Sequence, residues 1–256
     1  MTAAMVCSLQ SILDPEYILS PLNYTHVLGL RAAELSSLAY CDSGVLSNQH
    51  YQYAADAKYE LQTVYGEDWL AFRGSSNLEN WVINLDTIRT DFHGAKVHKG
   101  FYLAWNALKP AIMNKTFSKE KELLVAGHSL GGAIAQLAAL DLALAGYNVT
   151  LVTLASPRVG DKAFAGLING KVPRAYRITH SRDPVVHVPY VFMGFLHAAP
   201  EVFYHDLTNY DLCNTTTESI FCGANTLLPL PSIQEHLDYL LADISKCRLK
   251  PRTFLE

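Results

Sequence analysis

The stretch Gly127-His128-Ser129-Leu130-Gly131-Gly132 sets a serine between glycines at the spacing G-x-S-x-G. A serine hydroxyl is a weak nucleophile at neutral pH. It attacks a carbonyl only when a base takes its proton and the chain presents its oxygen clear of the backbone. The sharp turn that does this has no room for β-carbons beside it, which is the use of the glycines. Glu122 to Gly127 reads as a short apolar strand, and Gly132 to Ala145 as a long helix with Gly146 as its C-cap. A serine between such a strand and helix lies at the helix amino end, where backbone N–H groups favour a developing negative charge. The competing readings are an incidental serine in a glycine-rich turn, or a phosphate cradle. No lysine follows Gly132, so the cradle lacks its cation.

A nucleophilic serine needs a base and an acid, and on an α/β-hydrolase sheet they follow it in the order acid, then histidine. Asp183, in the loop Ser181-Arg182-Asp183-Pro184 after an apolar segment, fits the acid. Asp161 competes, but it precedes Lys162-Ala163-Phe164, which looks like a surface helix that an aspartate would N-cap. The histidines beside or beyond Asp183 are His180, His187, His197, His205 and His236. His180 precedes the acid, His187 is too near it in sequence, and His197 and His205 flank a strand-like Glu201–Tyr204. His236 has the right chain order, and the pattern makes it the opening residue of a final helix through Leu237, Tyr239, Leu240 and Leu241.

These residues need a frame. Val27 to Tyr40 carries the spacing of an amphipathic helix. Tyr59 to Phe72 reads as a hairpin, with Tyr59, Leu61, Thr63 and Tyr65 alternating before the turn Gly66-Glu67-Asp68. Phe101 to Met113 is helical in period, while Val149–Leu154 and Ala175–His180 are further apolar strands. Short apolar strands alternating with helices imply a largely parallel sheet covered by helices on both faces. No repeat or linker divides the chain, so the pattern predicts a peripheral segment at 1–24 and one domain from 25 to 256.

Of the 256 residues half are hydrophobic and 17% are charged, with a net charge of −4. That balance argues against a nucleic-acid partner. No apolar run is long enough to span a membrane. Neither H-E-x-x-H nor paired Cys/His spacing occurs, so neither a metal nor another cofactor is expected. Four N-x-S/T sequons, at Asn23, Asn114, Asn148 and Asn214, lean toward secretion. Met1 to Pro15, however, lacks the charge and apolar run of a signal peptide.

Several blocks in order resemble the secreted class 3 lipases of filamentous fungi: Phe72-Arg-Gly-Ser-Ser76, Val97-His-Lys-Gly-Phe101, Gly127 to Gly132, Ser156-Pro-Arg-Val-Gly-Asp161, Tyr176 to Pro189, Gly194-Phe-Leu-His197 and His236-Leu-Asp-Tyr239. The resemblance implies an α/β-hydrolase fold and a Ser129–Asp183–His236 triad. It also implies an oxyanion hole from Ser75 and the Leu130 N–H, disulfides Cys41–Cys247 and Cys213–Cys222, and a short lid near 76–86. Leu78, Trp81, Val82 and Leu85 make one apolar stripe there, which an ordinary packed helix would share. That stripe favours acylglycerols at a lipid–water interface over the cinnamoyl esters taken by feruloyl esterases of the same family. A catalytically silent lipid binder on the same fold is the remaining alternative. Cys7 stays outside the implied pairs.

Overall fold

The computed structural model describes residues 23–75, 86–115, 117–213, 222–223 and 232–249. The stripe Leu78, Trp81, Val82 and Leu85, the sequon at Asn214, Cys7 and most of the 1–24 segment fall outside the described residues.

Ten strands are described: β1 Gln52–Asp56, β2 Leu61–Tyr65, β3 Trp69–Phe72, β4 Arg89–Phe92, β5 Ala95–His98, β6 Glu122–His128, β7 Asn148–Leu154, β8 Arg174–His180, β9 Glu201–Tyr204 and β10 Tyr210–Cys213. Eight form one sheet in the order β1-β2-β3-β6-β7-β8-β9-β10, and β4 with β5 makes a separate hairpin. From β3 to β9 neighbours run parallel, and the outer strands pair antiparallel. All parallel strands therefore end on one edge, where loops can bring catalytic groups together.

The helices cover both faces. Lys99–Met113 (α3), Leu130–Leu144 (α4) and Lys162–Lys171 (α5) pack one face around Trp105, Leu108, Phe164 and Ile168. His26–Leu38 (α1) and Ser43–Asn48 (α2) pack the other, with Leu35, Leu38, Leu46, Tyr239 and Ile244. Along β7 the alternation is visible, since Val149 and Leu151 join the first cluster and Val152 and Leu154 the second. Strands covered on two sides become apolar throughout.

That explains one difference from the pattern reading. β2 does not alternate between core and solvent: all five residues are buried, with Leu61 and Tyr65 facing one cluster and Val64 the other. The hairpin itself stands, pairing Thr63 with Phe72 and Tyr65 with Leu70. The helix after the serine begins at Leu130, two residues earlier than the glycines suggest, and Gly146 follows it with φ +88°.

Cys41 is bonded to Cys247 and Cys213 to Cys222. Closing loops of 206 and 9 residues removes chain entropy worth about 5 and about 3 kcal/mol. No described helix is long and apolar enough to cross a membrane.

Candidate active site

Ser129 sits between β6 and α4 with φ 58° and ψ −127°, a conformation that costs a non-glycine residue free energy. Its N–H donates to Leu154 O at 2.9 Å, and its carbonyl starts α4 by accepting from Gly132 N at 2.9 Å. The glycines around it are sterically required. A β-carbon on Gly127 would lie 2.2 Å from Gly131 O, and one on Gly131 would lie 2.2 Å from Phe72 O. The loop after β3 also closes on the serine, since a β-carbon at Gly74 would meet Tyr40 Oη at 2.2 Å and Ser129 Cβ at 3.0 Å. Ser75 follows directly, half-buried. Leu130 is the first residue of α4, whose opening N–H groups have no intrahelical acceptor.

Asp183 follows β8 and is fully buried. Its carboxylate accepts from His236 Nδ1 at 2.9 and 3.0 Å, from the Tyr239 hydroxyl at 2.5 Å and from Val185 N–H at 2.8 Å. Burial pushes this carboxyl up, but the His236 charge and hydrogen bond, then Tyr239 and the Val185 N–H, outweigh it and hold it below the ordinary carboxylate value. Tyr239 remains a donor because burial and the Asp183 charge push its phenol well above its usual range. Asp161 has the other task, capping α5 through Phe164 N at 3.0 Å.

His236 is fully buried, but it does not open a helix. The final helix, Ile233–Leu237 (α6), starts at the Ser232 cap and ends one residue after His236. Leu240, at φ 57°, and Asp243, at φ 52°, turn the chain away, so the apolar run 237–241 cannot continue the helix. The short helix is laced to the acid's loop. Arg182 donates through Nε, Nη2 and its backbone N–H to Glu235 at 3.0, 2.6 and 2.7 Å, and Ser232 N–H donates to Arg182 O at 3.1 Å. Burial raises the Glu235 carboxyl, but Ser181 and the Arg182 donors bring it down to about 2.

Two groups that the sequence did not single out complete the arrangement. His128, just before Ser129, donates through Nε2 to the His236 carbonyl at 2.9 Å, so its Nδ1 accepts from the Tyr40 hydroxyl at 2.8 Å. Burial, then the neighbouring His236, lowers its pKa to about 3, so the ring stays neutral. The elbow therefore carries the serine and, one residue earlier, a prop for the histidine's main chain. Tyr239 is the second, bridging the β8 end, where it accepts from His180 N–H at 3.1 Å, to Asp183. The block His236-Leu-Asp-Tyr239 was a visible signal for Tyr239. Nothing local signalled His128, whose partners lie 88 and 108 residues away.

Among the described residues, Ser129 Oγ and His236 Nε2 are both buried and have no hydrogen-bond partner. A buried polar atom without a partner costs stability. Here two such atoms lie on groups joined through His128, whose ring centroid is 4.7 Å from that of His236. The other candidate histidines have contacts away from Ser129, although His197 Nδ1 is also buried without a hydrogen-bond partner. His197 Nε2 donates to Val186 O at 2.7 Å, and burial with the Arg177 and Arg158 charges keeps its ring neutral. His205 pairs with Asp211 at the surface, and His180 Nδ1 meets Glu235 O at 3.2 Å. Glu201, Cys213 and Cys222 group at metal-binding distance, but the two sulfurs are bonded to each other and offer no thiolate.

The sequence model of the family Lipase (class 3) matches residues 69–193. The chain is 34% identical to a lipase of Rhizomucor miehei over 194 residues, covering 70% of this chain and 53% of that protein. It is 38% identical to secreted mono- and diacylglycerol lipase A of Penicillium cyclopium over 141 residues, 52% of this chain and 46% of the relative. The chain thus spans about half the length of these relatives. Its fold superposes with a TM-score of 0.73 and 28% identity on a triacylglycerol lipase whose catalytic centre is described as a serine protease triad, covering 87% of this chain and 96% of that one.

Proposed function

We propose that the chain is a class 3 lipase, like the fungal proteins it resembles, and that it hydrolyses acylglycerol esters at a lipid–water interface outside the cell, through Ser129, Asp183 and His236. The reading rests above all on the two buried, unpartnered atoms, Ser129 Oγ and His236 Nε2, with Asp183 behind the histidine. In the first half-reaction His236 Nε2 takes the Ser129 proton as Oγ bonds to the ester carbonyl carbon. The carbonyl oxygen becomes an oxyanion, held by the Leu130 N–H and by Ser75. The C–O bond to the alcohol breaks as His236 returns the proton to the leaving oxygen. Water then enters, gives a proton to His236 and attacks the acyl carbon. The fatty acid leaves, and the proton goes back to Ser129 Oγ. Asp183 holds the imidazole in the Nδ1–H tautomer and stabilises its cation without becoming protonated.

The deciding measurement is hydrolysis of a triolein emulsion beside methyl ferulate, with Ser129→Ala as blank and a fluorophosphonate probe on both proteins. The expected result is probe labelling of wild type only, with emulsion turnover that rises past the substrate's solubility limit. Turnover of methyl ferulate alone would reassign the substrate, and an unlabelled wild type would leave a silent lipid binder.

A further inference from the structure

Among the described residues, large exposed apolar side chains are consecutive in one place only: Tyr190, Val191, Phe192 and Met193, with Phe192 82% exposed. They form a 3-10 turn whose tip carries two stacked rings, Tyr190 and Phe192, with centroids 5.3 Å apart and planes within 10°. The rings cover one another and leave their outer faces to solvent.

The base of this knuckle is fastened, so its outward pose is set by the fold. Val188 O accepts from Arg158 N–H, and Pro189 O from the Arg158 guanidinium, both at 2.9 Å. Gly194 N–H closes the turn onto Val191 O at 2.8 Å, and Leu196 N–H donates to Gly160 O at 2.8 Å. A fixed protrusion of four apolar side chains has no compensation in a water-surrounded monomer.

Its position says what covers it. The chain reaches it seven residues after Asp183, by way of the turn Val185–His187, on the sheet edge that also carries Ser129. On its far flank Arg89 donates to Gly194 O at 3.5 Å, with its guanidinium 5.6 Å from the Phe195 ring, next to Ile88, itself 55% exposed. An apolar phenylalanine tip with a tyrosine hydroxyl and a cation behind it suits the boundary of an apolar phase bearing anionic head groups. An ester-hydrolysing surface generates such groups as carboxylates.

We infer that Tyr190–Met193 is a fixed anchor that inserts into the lipid surface and holds the catalytic edge against it. The inference rests on the proposed function for its lipid partner. Phe192 and Val191 together carry the insertion, and loss of both weakens adsorption about tenfold, as expected for two partly buried apolar side chains.

The test is sedimentation of wild type, Val191→Ser/Phe192→Ser and the distant exposed control Leu212→Ser with phosphatidylcholine vesicles, with and without oleate. Soluble p-nitrophenyl acetate hydrolysis is read in parallel. The double variant should bind vesicles about tenfold more weakly, with oleate strengthening the wild type, while Leu212→Ser binds normally and ester turnover holds. Phe192→Trp should bind as wild type does and gain a blue-shifted emission component on vesicles. Unchanged adsorption of the double variant, or no added blue shift, overturns the anchor. So does a wild-type dimer that the double variant abolishes, because the covering partner is then a second copy. A wild type inert toward every ester would instead sink the proposed function, and the vesicle series would still report on the knuckle.

Discussion

Asp183 accepts from His236 Nδ1 at 2.9 Å, and Asp141 accepts from His93 Nε2 at 2.7 Å. Both carboxylates are buried. Both are held below the ordinary carboxylate value, because their donors outweigh a burial that pushes them up. The difference lies around them. Asp141, on α4, also accepts from Trp105 Nε1 at 2.5 Å and Lys109 Nζ at 2.8 Å, and its histidine is 37% exposed at the β4–β5 turn. Asp183 binds a histidine with no exposure at all, whose second nitrogen is left unpaired and whose ring centroid lies 4.7 Å from that of His128, the residue before Ser129. A buried Asp–His pair is thus no signature of catalysis by itself. What marks the site is the histidine's far side: His93 ends in solvent, whereas His236 ends in a buried vacancy of hydrogen bonding.

The comparison breaks most directly by neutralising each aspartate. Asp183→Asn should reduce turnover about 10⁴-fold, because the wrong imidazole tautomer faces the serine. Asp141→Asn should leave turnover within a few-fold while costing about 1–3 kcal/mol of stability. Steady-state kinetics with thermal melts decide, and equal losses of turnover from both variants would erase the distinction.

A smaller effect sharpens the role of the prop. His128→Phe keeps the ring but removes the donor to the His236 carbonyl. A shift of the base of the order of 1 Å then costs about 100-fold in turnover. Substrate affinity and the fold should survive, so a rise in KM with normal kcat would contradict the assignment.

The least effect concerns pH. Tyr239→Phe takes one donor from Asp183, whose carboxyl then moves up toward its ordinary value. A depressed carboxyl stabilises the fold above its unfolded pKa and loses that contribution as pH falls through its folded one. The variant should therefore lose stability and activity at a higher pH on the acid side than wild type, with little change at neutral pH. An unmoved acid limb would mean that Tyr239 does not hold the charge of Asp183.

How much of this was legible beforehand follows from the range of the interactions. Gly127, Gly131 and the strand–helix flanks are local, so the elbow could be read from adjacent letters. Asp183 and His236 were reachable through chain order, and Asp161 was separable because an N-cap is a local device. The shape around His236 was misread because Leu237 to Leu241 keep a helical look, while the Ser232 cap and the left-handed Leu240 end the helix after one turn. β2 was misread because alternation reports one covered face, and here tertiary packing covers two. Tyr40 and His128 carry no local pattern, since their work is done across 88 residues.

The Cys41–Cys247 bond gains another meaning once the base is placed at His236. The last described segment, 232–249, holds no regular element longer than the five-residue α6. Its hold on the sheet comes from buried side chains such as Tyr239 and Ile244 and not from a ladder of backbone bonds. Here the far end of the segment is riveted to the end of α1, and Ser37 Oγ donates to Lys246 O at 2.5 Å beside the rivet. The bond thus limits how far the chain that carries His236 can move from the sheet. Reduction of this bond is expected to loosen the His236 segment before the sheet melts, so that ester turnover measured with reductant should fail at a lower temperature than the far-ultraviolet signal.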